Sequence, residues 1–191
     1  MARVLIAWEL GEAFGHLARC LRLAQGLVAR GYAVTLALKD VRLPAGQAPA
    51  SGITVLPAPL TPQMGAGGSP PVNYPDVLRV SGFADARDVA ARLNAWQGMF
   101  SLVRPDVLIA DHAPTALLAA RLAEVPYLSI GNGFAIPPSV SPWPSIRSWE
   151  AVSDQALTAA EARLDRVLDE AQRALGHTRT VRVRALFGAH D

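Results

Sequence analysis

Apolar positions divide the chain into short β-branched runs and longer stretches of helical spacing. Arg3 to Trp8 is a compact apolar run, the pattern of a buried strand. Glu9 to Gly15 holds two glycines and breaks it. From His16 onward, Leu17, Cys20, Leu21, Ala24, Leu27 and Val28 repeat at helical spacing, with Arg19, Arg22 and Arg30 elsewhere on the wheel. Gly31 stands where such a helix ends. Ala33 to Leu38 and Ile53 to Leu56 read as the second and third strands. Strand, glycine loop, helix and strand make a βαβ unit, the crossover that parallel strands require.

Residues 57–82 lose the pattern: Pro57, Pro59, Pro62, Pro70, Pro71 and Pro75 alternate with Gly65, Gly67 and Gly68, which predicts a long loop. Helical spacing resumes at Val89, Leu93, Trp96, Phe100 and Val103. Asp106 to Ala110 is a fourth strand, and Pro114 opens a helix that ends near Glu124. Pro126 to Ile130 is a fifth strand, followed by a second Pro-rich loop over 131–147 that carries Trp143. Trp149, Val152, Ala156, Ala160, Leu164, Val167, Ala171 and Leu175 mark a long amphipathic helix stopped by Gly176. The prediction is an α/β, Rossmann-like open parallel sheet in the order 3-2-1-4-5, with right-handed crossovers and helices on both faces. Residues 1–176 form the domain. Residues 177–191 form a basic tail or the start of a linker, in which Val181 to Phe187 is a short helix or strand.

Composition narrows the class. Of 191 residues, 51% are hydrophobic and 18% charged, so disorder is excluded. The low charge also fits an apolar face meant for a partner chain or for self-association. Cys20 is the single cysteine, which excludes an internal disulfide framework and a cysteine-based zinc site. Eighteen basic residues against sixteen acidic ones give no reason to expect nucleic acid, and no run of His, Cys, Asp or Glu suggests a metal. No apolar stretch has membrane-helix length, and the first residues are too short an apolar run for a secretory leader. A soluble cytoplasmic domain is expected, with peripheral membrane attachment as the alternative.

Chemistry gathers at the strand ends. In open parallel sheets ligands bind beyond the carboxyl ends of the strands, where the strand order reverses. Strand one leads to Gly11, Gly15 and His16, strand four to Asp111 and His112, and strand five to Ser129, Asn132 and Phe134. A helix N-terminus disfavours a positive imidazole, so His16 would stay neutral and able to accept a proton. A carboxylate beside it would orient the ring and stabilise the imidazolium once formed. The plainer possibility is that His16 and Asp111 each cap a helix, the Asp111 carboxylate bonding the amides beyond Pro114. Cys20 belongs to the core, Glu9 to a solvated loop, and Trp96 and Phe100 to packing. Arg179, Arg182 and Arg184 are too few, and too free of aromatics, to mark a nucleic-acid surface.

Two stretches resemble the amino-terminal half of GT-B glycosyltransferases, within the UDP-glycosyltransferase superfamily. Gly15-His16-Leu17 followed by Leu27-Val28-Ala29-Arg30-Gly31-Tyr32-Ala33-Val34-Thr35 is similar to that family's opening motif. Arg104-Pro105-Asp106 through Asp111, then Ala119-Ala120-Arg121-Leu122-Ala123-Glu124-Val125-Pro126, is similar to its second. Together they span about residues 1–135. The resemblance implies that His16 is the general base for an acceptor hydroxyl and that Asp111 pairs with it. Phe14, Gly15, His112, Asn132 and Phe134 become candidate acceptor contacts, and the Pro/Gly loops become walls of an acceptor pocket. Two positions depart from the family pattern: Arg19 replaces a proline, and Tyr32 a histidine.

The resemblance further implies an inverting, nucleotide-sugar-dependent transfer to a small-molecule or lipid-linked acceptor. Family members hold the nucleotide sugar in a second, carboxyl-terminal lobe, so no cofactor is expected here. The 191 residues would then be one half of a transferase, a fragment or a split subunit, inactive alone. Two other readings stand beside it. One is a non-catalytic binding or scaffold subunit. The other is a dinucleotide-binding oxidoreductase domain with Asp40 on the ribose, though Gly11 to His16 lacks the G-x-G-x-x-G spacing that admits a pyrophosphate.

Overall fold

The computed structural model describes residues 1–12, 14–43, 51–61 and 70–187. The predicted Pro62, Gly65, Gly67 and Gly68 of the first long loop lie outside them. By backbone proximity the chain divides into two compact units, Met1–Leu60 with Ala95–Gly131, and Thr61–Asn94 with Asn132–Asp191.

The first unit is built on a five-stranded parallel sheet in the order β3-β2-β1-β4-β5, as the crossover pattern predicts. Its strands are β1 (Arg3–Trp8), β2 (Ala33–Leu38), β3 (Ile53–Pro57), β4 (Val107–Asp111) and β5 (Tyr127–Ile130). Between them run α1 (Phe14–Val28) and α4 (Pro114–Leu122). Because the order reverses at β1, right-handed crossovers send α1 and α4 to opposite faces. The burial of β1 reflects this: every residue from Val4 to Trp8 is buried. Val4, Ile6 and Trp8 pack with Val34, Leu36 and Ile109 against Leu17, Cys20, Leu21 and Ala24 of α1. Leu5 and Ala7 alternate onto the other face and are also fully buried. The α1 helix closes through Gly31, whose N–H donates to the Val28 carbonyl while that of Tyr32 reaches Leu27.

Helix α3 (Ala86–Val103) runs from one unit into the other and buries Val89, Leu93, Trp96 and Phe100, the face its spacing predicts. Two expectations in the second unit need correction. The predicted loop over 57–82 contains helical structure: β3 runs through Pro57, α2 spans Tyr74–Leu78, and a kinked turn follows over Arg79–Phe83, with Ser81 and Gly82 out of helical geometry. Asn73 caps α2 by accepting from the Asp76 N–H, and Pro75 sits in its first turn. Five residues are too few to display a helical period, so the proline content dominates the sequence pattern.

The long helix, α5 (Asp154–Ala174), begins later than Trp149. Ser153 is extended, and its Oγ accepts from the Ala156 N–H, which sets the start; Trp149 lies outside and is exposed. At the far end Gly176 adopts φ +85°. Its N–H donates to Arg173 and that of His177 to Gln172, a geometry a side chain would strain. The tail is strapped back on α5: the Gln172 amide bonds both the N–H and the carbonyl of Val181, and Asp165 accepts from the Val183 N–H. A 3-10 turn over Val183–Leu186 completes it.

Candidate functional site

Strand register brings the candidate residues together. Trp8 lies opposite Asp111 in the β1–β4 ladder, so both strands end at one level. Ile109 packs in the α1 core, and Asp111, two residues further, faces the same way. On α1, His16, Arg19 and Cys20 share one side through i,i+3 and i,i+4 spacing. The outcome is a buried carboxylate beneath three side chains of one helix.

His16 Nδ1 lies 2.9 Å from Asp111 Oδ1. Arg19 Nη1 donates to both Asp111 oxygens, each at 2.9 Å. The Asp111 side chain has no exposed surface, whereas Arg19 is 42% exposed and His16 19%. Cys20 Sγ stands 4.0 Å from Asp111 Oδ2. Burial, reinforced by the Asp111 charge, pushes that thiol up to about 12, as suits an inert core cysteine. Trp8 stacks on the His16 ring, with centroids 5.6 Å apart and planes 10° apart. Gly11 lies close to the ring as well. A Cβ at Gly11 would lie 2.6 Å from His16 Nε2, and the residue has φ +93°. Glycine there leaves Nε2 its space.

The possibility that Asp111 caps α4 is overturned. Glu9 does so instead: it is buried, and its Oε2 and Oε1 accept from the Thr115 and Ala116 N–H groups, both at 2.9 Å. The expectation of a solvated Glu9 is therefore corrected. As the residue after Trp8 it falls on the opposite sheet face from α1, where α4 begins. His112 follows β4 at φ +50°, buried, its ring centroid 6.3 Å from that of His16. Burial, then the nearby His16 and Lys39, lowers its titration from 6.5 to about 4.

Of the remaining candidates, Phe14 is exposed in the first turn of α1, and Gly15 beside it has open space where a Cβ would stand. Asn132 and Phe134 belong to the second unit. There Asn132 Oδ1 accepts from the Phe134 and Ala135 N–H groups, and the Phe134 ring meets Tyr74 edge-on. Asp40, the ribose ligand of the dinucleotide reading, pairs with Arg42, whose hydrogen bonds lower its titration to about 2. Arg184 is drawn into an ion pair with Glu161 and lies over Trp143. Sequence reasoning missed Arg19 and Glu9. The signals were there: Arg19 follows His16 by three positions, and Glu9 alternates with Trp8. Among the described residues no group of three or more His, Cys, Asp or Glu could hold a metal, and no helix is long and apolar enough to cross a membrane.

No family model matches the sequence, and no curated protein matches it. Solved structures do. The chain is similar to SsfS6, a glycosyltransferase from Streptomyces sp. SF2575, with 14% identity and a TM-score of 0.52 over 90% of this chain and 46% of that one. It is likewise similar to the glycosyltransferase SnogD from Streptomyces nogalater, with 19% identity and a TM-score of 0.53 over 94% and 43%. SsfS6 complexed with thymidine diphosphate gives 16% identity and a TM-score of 0.50. The chain spans less than half the length of these proteins. The α/β Rossmann-like sheet is thus a fold this chain shares with part of each of these glycosyltransferases.

Proposed function

We propose that the chain forms the acceptor side of an inverting, nucleotide-sugar-dependent glycosyltransferase. The observation that carries this reading is the hydrogen-bonded His16–Asp111 pair at the carboxyl edge of β1 and β4. With Nδ1–H donated to the carboxylate, the lone pair of Nε2 is left to accept a proton. The acceptor oxygen attacks the anomeric carbon as the bond from that carbon to the nucleoside diphosphate breaks. The hydroxyl proton passes to Nε2, and the diphosphate leaves with the electron pair. Attack from the opposite side inverts the anomeric centre. Asp111 stays ionised and supports the imidazolium.

Thymidine diphosphate in the SsfS6 complex supports a nucleotide-sugar donor, to be held by a lobe beyond the residues described. A small-molecule or lipid-linked hydroxyl compound is the acceptor. The test is His16→Ala in a complete enzyme that joins this chain to a donor-binding lobe. Turnover is expected to fall about 10²–10⁴-fold, the usual worth of a general base, with donor affinity retained. Unchanged turnover would remove the base assignment and favour a scaffold role for the fold.

A further inference from the structure

Asp111 poses an electrostatic problem that His16 alone would solve badly. A carboxylate with no exposed surface needs a counter-charge, because an unpaired buried charge is strongly destabilising. With His16 as the sole partner, the buried charge would favour a protonated imidazole, and a protonated ring cannot act as a base. Arg19 offers a permanent cation instead. Its Nη1 touches both carboxylate oxygens, and its position three residues after His16 puts both side chains on the same side of α1.

We propose that Arg19 is a positioning residue for His16: as the standing counter-ion of Asp111, it leaves the imidazole uncharged, with Nδ1–H on the carboxylate and Nε2 open. The groups facing the ring support this division of labour. Trp8 from β1 and Gly11 from the loop after it bring no charge. His112, beyond β4, is lowered to about 4 and is neutral near pH 7. Cys20, on α1 itself, is raised to about 12 and is neutral too. Lys39, which acts electrostatically on His112, is bonded to Glu12 and to the Gly11 carbonyl. The charge in contact with His16 is therefore Asp111, and Arg19 is the charge in contact with Asp111. They cancel.

That His16 is a base rests on the function proposed above; the control of its charge by Arg19 does not. The experiment follows the His16 ring by NMR against pH in the 191-residue chain, the resonance assigned by its loss in His16→Gln. Arg19→Gln is expected to move the proton loss of His16 upward by about one pH unit, since an opposite charge is uncovered. Arg19→Lys, which keeps the cation, is expected to stay within about half that shift of the native chain. No upward movement in Arg19→Gln overturns the inference. If Arg19→Gln fails to fold, Arg19→Met decides: an upward shift upholds the inference and native titration overturns it. A His16→Ala enzyme with native turnover would instead sink the base reading while leaving this result intact.

Discussion

His112 carries both a conformational and an electrostatic burden near the site. It holds a positive φ of 50° and a buried ring whose titration is lowered to about 4. An unfolded histidine titrates near 6.5, so between the two values the unfolded chain binds more protons. The contribution of neutral His112 is therefore complete above about pH 6.5 and is lost as pH falls toward about 4. Denaturant unfolding measured from pH 7 to 4 should show stability falling by a few kcal/mol. In His112→Asn, a residue that tolerates positive φ, that part of the slope should disappear. Legibility at this scale depended on where a residue stands, not on its distance from its partner, since His16 and Asp111 lie 95 positions apart. His16 and Asp111 were visible because each closes a recognisable strand-to-helix junction. Arg19 lies inside the helical pattern and Glu9 inside a glycine loop, so neither stands out locally as the partner of Asp111 or of the α4 amides.

Elements were legible where their length exceeded their period. The six residues of β1 and the fifteen of α1 display their spacing openly, as do the eighteen of α3. The five-residue α2 and the kinked turn after it were hidden among prolines. The start of α5 went astray because Trp149 happens to continue the apolar spacing beyond the Ser153 cap. Helix α4 shows most plainly that an element can owe its start to another element. Ala113 offers no side-chain cap, and the end of β1 supplies Glu9 in its place. Glu9→Ala should cost about 2–4 kcal/mol in chemical denaturation, through two lost charge-assisted bonds and two buried amides left bare. Amide exchange at Thr115 and Ala116 should accelerate in the same variant, while a change confined to other helices would refute the assignment.

For the molecule as a whole, the strand order was readable in advance because parallel strands joined by helices leave few arrangements. The chain shares that fold with less than half of SsfS6 and of SnogD. Purified alone and given nucleotide sugars with a panel of hydroxyl acceptors, the 191-residue chain should yield no donor-dependent product and bind nucleotide weakly at most by calorimetry. Tight nucleotide binding would return the dinucleotide-domain reading to the front. Product formed by the chain alone would show that these residues hold both substrates.

Glu9 also bears on what this crevice can admit. Where a strand order reverses, the positive end of the following helix is the usual berth for a phosphate group. Here the protein has moored its own anion there: two carboxylate oxygens occupy the amides of α4 from inside. The chain thus carries, in one side chain, a permanent imitation of the ligand that many sheets of this kind exist to hold. A diphosphate approaching β4 would meet a berth already filled and a negative charge.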